Sequence, residues 1–229
     1  FDPTIILVLI GVALSLWAQG RVNSTFSRYS RVRSMTGMTG AEAARRLLNA
    51  QGIYDVTVQP IAGELTDHYD PRTKTVNLSQ SVYGATSVAA IGVAAHECGH
   101  AMQDNEGYAP LRFRSALVPA ANFGSKLSWP LILLGLVFGG LGSPLVEIGI
   151  LMFSLAVLFQ LVTLPVEYNA SARAVRLLDS QGILAGEEVS GTRKVLNAAA
   201  LTYVAAAATS ILQLLRLIIL FGGRNRRDN

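Results

Sequence analysis

The chain has 229 residues, of which 51% are hydrophobic and only 15% charged, and its mean hydropathy is +0.39. That balance excludes an ordinary soluble domain and points to an integral membrane protein. The net charge of +4 sits mainly on arginines beside apolar segments, with no basic stripe interleaved with aromatics, so it reads as membrane topology and no nucleic-acid partner is expected.

Taken in order, Thr4 to Ala18 is apolar and uncharged. It is slightly short for a span, with Phe1 and Trp17 placed to anchor it at the two interfaces. No basic n-region precedes it, so an uncleaved anchor is expected rather than a signal peptide. Arg21, Arg28, Arg31 and Arg33 follow directly. They put the next segment in the cytoplasm and the N-terminus outside. Thr39 and Glu42 form a capping-box pattern that opens a helix ending at Gly52. Val56 to Gln59 has strand character. Thr66 to Leu78 reads as a hairpin turning at Asp70-Pro71. Ser79 or Ser81 is the expected cap of the next helix, which runs to about Gln103.

Beyond a mixed stretch from Tyr108 to Lys126, Leu127 to Leu141 and Ile148 to Leu164 are apolar, separated by Gly142-Ser143-Pro144. They are expected to form a transmembrane hairpin with a tight outer turn near Glu147. Pro165 to Asn197 is polar, and its cations place it inside. Ala198 to Phe221 is a last apolar helix containing Arg216, followed by a tail with Arg224, Arg226 and Arg227. Four crossings would put that tail outside, against its charge. Either the tail is tolerated there or the last helix stops short of a full crossing. Five segments result: an anchor over 1–19, a cytosolic part over 20–126, a transmembrane hairpin over 127–164, a helix over 165–197, and a hydrophobic helix with basic tail over 198–229.

Within the cytosolic part, His96-Glu97-Cys98-Gly99-His100 reads H-E-x-x-H. Residues four apart share one helix face, so both imidazoles can offer a nitrogen to one Zn²⁺. Glu97 stands beside them as the general base. The chain has three histidines, and this motif uses two of them. Cys98, the single cysteine, lies roughly 200° round the helix from His96 and is expected to be a small buried hydrophobe. A catalytic zinc needs a third protein ligand and an open position. The remaining histidine is His68, on the hairpin, and several acids lie downstream. Glu167 is best placed, in the first turn of a helix that Pro165 opens just past an apolar span.

The stretches LTDHYDPRTKTVNLS, VAAHECGHAMQ, LFQLVTLPVEYNASARA and AALTYVAAAATS resemble the bacterial YugP family of membrane zinc metallopeptidases over nearly the full length. More distantly, the chain is similar to HtpX-like gluzincins. There a glutamate in an E-x-x-A-D pattern is the third ligand, and its aspartate supports a zinc histidine. Glu167-Tyr168-Asn169-Ala170 matches four positions of that pattern, and Ser171 replaces the aspartate. The resemblance therefore implies His96, His100 and Glu167 as ligands of one Zn²⁺ per chain, and leaves Asn169 or Asp104 to orient an imidazole.

The expected fold is a mostly α integral membrane protein. It carries a zincin-like H-E-x-x-H helix, a small β-hairpin and about four hydrophobic helices. The expected function is a multi-pass, membrane-bound zinc metalloendopeptidase facing the cytoplasm, with peptide or protein substrates and the lipid bilayer as partners. Glu97 acts as base, and His68 and Tyr69 are candidates to stabilise the oxyanion. Val76-Asn77-Leu78 is the candidate edge strand for an extended substrate. Two rivals remain. One is a site-2-type intramembrane metalloprotease using Asp179, although Leu178-Asp179-Ser180 only partly matches its L-D-G setting. The other is a non-catalytic membrane scaffold with a structural zinc or none.

Overall fold

The computed structural model describes residues 2–140 and 143–221. Phe1, Gly142 and the tail arginines Arg224, Arg226 and Arg227 lie outside the described residues. The elements run α1 (Ile5–Ser30), α2 (Gly40–Ala50), β1 (Thr57–Ile61), β2 (His68–Asp70), β3 (Thr75–Ser79), α3 (Gln80–Tyr83), α4 (Val88–Asn105), α5 (Ala109–Gly139), α6 (Pro144–Ser180) and α7 (Glu187–Phe221). The fold is thus mostly helical with a small sheet. Helices α1, α5, α6 and α7 are long and apolar enough to cross a membrane. The chain divides into two compact units, one of residues 1–18, 112–164 and 202–229, the other of residues 19–111 and 165–201.

In the first unit, small residues let helices approach closely, as expected where lipid removes the hydrophobic drive for helix association. A Cβ on Gly11 of α1 would come within 2.8 Å of Thr209 of α7, and the Thr209 hydroxyl donates to the Gly11 carbonyl. Arg216 of α7 donates to Asp2 at 2.8 Å and to Thr4 at 3.2 Å, so it faces protein. The far end of α7 is therefore level with the start of α1.

The second unit is built round the sheet and α4. Central β3 pairs in parallel with β1 and antiparallel with β2. The hairpin forms as expected, with Tyr69 opposite Val76. Val76-Asn77-Leu78, expected at an edge, instead lies on the central strand. Its backbone is claimed by β1 through a pairing between segments distant in sequence, and the edges belong to β1 and β2. The capping box is present: Thr39 Oγ1 accepts from the Glu42 amide, and the Glu42 carboxylate accepts from the Thr39 amide at 2.8 Å. The cap of α4 differs from expectation. Ser79 precedes only the short α3 and makes no side-chain cap bond, whereas Ser87 Oγ accepts from the Ala90 amide. Residues 84–87 are not helical, and Ser87 bridges to Arg33, so α4 starts at Val88.

Helix α4 is buried on nearly every side, which explains its alanines and glycines. Ile91, Ala94, Cys98 and Met102 join Leu47 and Leu48 of α2, Val76 and Leu78 of β3, and Leu178 of α6 in one core. Cys98 is fully buried, as expected. Helix α6 does not restart at Pro165; it runs unbroken through that residue. Proline removes one amide donor and strains the preceding turn, but the helix on both sides is long enough to absorb this.

Candidate metal centre

The centre lies where α4 meets the second half of α6. Gly99 makes that approach possible. A Cβ there would stand 2.6 Å from the Ala170 carbonyl oxygen and 3.0 Å from the Ala170 Cα. Ala170 is itself fully buried and shares the α6 face of Glu167, three residues earlier. The small residues of H-E-C-G-H and E-Y-N-A thus bring two backbones into contact, and this contact carries the Glu167 carboxylate to the two imidazoles.

Glu167 Oε2 lies 3.1 Å from His96 Nε2 and 3.4 Å from His100 Nε2. The rings of His96 and His100 stand edge to face, with centroids 4.8 Å apart. One donor atom from each of the three residues falls within 4.8 Å of the others. Zinc bonds of 2.0–2.1 Å in a tetrahedron separate neighbouring ligands by about 3.3–3.4 Å. The two carboxylate–imidazole separations are close to that edge, and two imidazoles with one carboxylate are donors that suit a zinc ion. Glu167 is almost wholly buried and the two histidines are slightly exposed.

The far side of each ring is also held. His100 Nδ1 is 3.0 Å from Gln103 Oε1. Gln103 is fully buried, and its Nε2 donates to the Val166 carbonyl at 2.8 Å and to Asn169 Oδ1 at 3.0 Å. A carbonyl only accepts, so the amide nitrogen must face Val166 and the amide oxygen must face His100. His100 then donates from Nδ1 to Gln103, which leaves Nε2, on the Glu167 side, as the nitrogen that would meet a metal. His96 Nδ1 is 3.0 Å from Ser171 Oγ. Burial pulls the His100 pKa down, but hydrogen bonds to Glu167 and Gln103 and the charges of Glu97 and Glu167 outweigh it, and the net shift is upward.

The orienting groups are therefore Ser171 and Gln103, not Asn169 or Asp104. Ser171 occupies the position of the E-x-x-A-D aspartate and reaches the His96 ring. Asn169 acts one step back, accepting from Gln103 and from Arg173 Nε at 2.7 Å. Asp104 accepts from the Tyr69 hydroxyl at 2.8 Å and pairs with Lys74 at 3.2 Å. Gln103 was missed because glutamine three residues past a histidine belongs to no metal motif. The i,i+3 spacing was the available signal.

Glu97 follows His96 on α4, is buried, and lies close enough to His100 to raise its pKa. His68 is exposed; its Nδ1 donates to the Thr66 carbonyl and its Nε2 accepts from Asn77. Tyr69 is half-buried, and burial together with its bond to Asp104 raises its pKa strongly. Neither residue joins the three-residue cluster. Asp179 lies three turns further along α6 than Glu167, and also outside the cluster.

A family model described as "Putative neutral zinc metallopeptidase" matches residues 4–222. The chain is 49% identical over 224 residues, 98% of each chain, to the "Putative membrane protease YugP" of Bacillus subtilis (strain 168). No solved structure matches. With a membrane protease as a close relative and a donor set that fits zinc, the chain belongs to this zinc metallopeptidase family.

Proposed function

We propose that the protein is a gluzincin-type zinc metalloendopeptidase with a zincin-like α4, held in the cell membrane by α1, α5, α6 and α7 and working on the cytoplasmic side. The observation that carries this reading is the convergence of His96 Nε2, His100 Nε2 and the Glu167 carboxylate, with Glu97 next to them on the same helix. His96, His100 and Glu167 would hold one zinc per chain. When bound, zinc polarises the scissile carbonyl and acidifies a water molecule. Glu97 accepts the proton of the attacking water and returns it to the leaving amine. Ser171 and Gln103 keep the two imidazoles aimed inward.

An extended substrate is proposed to lie along β2, an edge strand of the sheet that packs against α4. His68 and Tyr69 are on that strand and remain the proposed oxyanion donors. Each would first exchange a bond it now makes, His68 with Thr66 and Tyr69 with Asp104. The arginines that follow the uncharged part of α1 support the cytoplasmic placement.

Zinc content and cleavage of unfolded casein by the detergent-solubilised protein test the reading. Glu97→Gln is expected to keep its zinc and lose activity by about 10²–10⁴-fold. Equal activity in the variant and the parent would refute the mechanism. Asp179→Asn is expected to keep both zinc and activity. Loss of zinc in that variant would favour the site-2-type reading.

A further inference from the structure

Outside the metal centre, the second unit has a cavity of about 660 Å³ between α1, α6 and α7. From α1 it is lined by Arg21, Ser24, Thr25 and Arg28, and from α7 by Lys194, Asn197, Ala198 and Leu201. Both sets run i, i+3, i+4, i+7, so each is one continuous helix face. Tyr29 and Tyr168 complete the wall. The lining holds three cations, hydroxyl and amide groups, and no carboxylate. Among the described residues, Arg21, Arg28 and Lys194 make no ion pair; Arg28 instead lies 5.6 Å from the centroid of the Tyr29 ring. A neighbouring cavity differs on this point: its cations Arg176 and Arg193 share it with Asp179.

The chain on either side of the groove is also informative. Going back from Arg21 along α1, no charged residue occurs until Asp2. Going forward from Lys194 along α7, none occurs until Arg216. Two helices thus change from charge-bearing to charge-free at the groove. A guest that suits both parts has an anionic head and long apolar tails.

We propose that this groove binds the phosphate headgroup of an anionic phospholipid. Arg21, Arg28 and Lys194 supply the charge, and Ser24, Thr25 and Asn197 supply neutral hydrogen bonds. The inference rests on the membrane placement proposed above, and not on the peptidase reading.

The test uses the full chain in nanodiscs of phosphatidylcholine doped with phosphatidylglycerol, and counts co-purified lipids by native mass spectrometry. The parent is expected to retain phosphatidylglycerol over phosphatidylcholine by about tenfold or more, given roughly fivefold per lysine or arginine near an anionic headgroup. Asn197→Asp places a carboxylate in the groove and leaves every topology-setting cation in place. It is expected to cut the preference at least about threefold, and Arg21→Gln/Arg28→Gln/Lys194→Gln to bring it near parity. Far-ultraviolet circular dichroism and thermal melting report folding of both variants, and Arg21→Lys/Arg28→Lys is expected to retain the preference. No preference in the parent, or an unchanged preference in Asn197→Asp and the triple variant, would overturn the assignment. So would displacement of the lipid by millimolar inorganic phosphate, which would make the groove a site for a soluble anion. Recovery of the protein without detergent would instead refute the membrane placement itself.

Discussion

The two walls of the metal centre are made in different ways. The α4 wall is local: His96, Glu97 and His100 are neighbours because a helix repeats every 3.6 residues. The α6 wall is tertiary: Glu167 arrives only because Gly99 and Ala170 let two backbones touch and Gln103 ties α4 to the Val166 carbonyl. A short motif therefore carries two of the proposed ligands and the proposed base, while the third proposed ligand depends on packing residues with no metal chemistry of their own. The same contrast holds between the two rings. His100 is held by a fully buried amide with three partners, and His96 by a single hydroxyl.

The contrast can be broken most severely at Gly99. Alanine there gains up to about 1 kcal/mol of helix propensity. Its Cβ, however, would stand 2.6 Å from a backbone oxygen that no side-chain rotation can clear. Gly99→Val is expected to destabilise the fold by about 3 kcal/mol and to weaken zinc binding although no ligand is touched. Chemical denaturation and zinc titration measure the two effects. Parent-like stability and zinc affinity would mean the close approach does not position Glu167.

Next come the two supports. Gln103→Ala is expected to lower zinc affinity by about 10–100-fold, and Ser171→Ala by about tenfold or less, in competition with a chelator of known affinity. The order matters as much as the size. A larger loss at Ser171 would invert the contrast between the buried amide and the lone hydroxyl.

The smallest effect concerns a surface tie between the same helices. Arg173 Nη1 donates to Glu106 Oε1 at 2.7 Å and holds the Glu106 pKa below its usual value. A depressed carboxyl stabilises the fold above its unfolded pKa, about 4.3, and loses that contribution as pH falls through the folded value. Glu106 is half exposed, so the effect is small and fades in high salt. Acid denaturation at low salt should therefore be slightly flatter in Glu106→Gln than in the parent, and the two curves should merge at high salt.

Much of this was legible in the chain, and the pattern of success follows the same division. The motif helix, the capping box at Thr39 and the hairpin at Asp70-Pro71 are set by spacing over a few residues, and each formed as read. Glu167 is legible from its place after an apolar run, but Pro165 opens no new helix. Its local breaking tendency yielded to a helix of 37 residues. The central position of β3 was hidden because β1 pairs with it across an intervening hairpin strand, which no local pattern encodes. Gln103 and Ser171 were hidden for a related reason. Glutamine and serine are common on helices, and only their distances to Nδ1 atoms give them a role.

X-ray absorption at the zinc edge of the purified protein tests the union of the two walls most directly. Two imidazole nitrogens and one carboxylate oxygen are expected at about 2.0–2.2 Å, with the carboxylate contribution lost in Glu167→Gln. A sulfur ligand at about 2.3 Å, or a parent spectrum that Glu167→Gln leaves unchanged, would contradict the account.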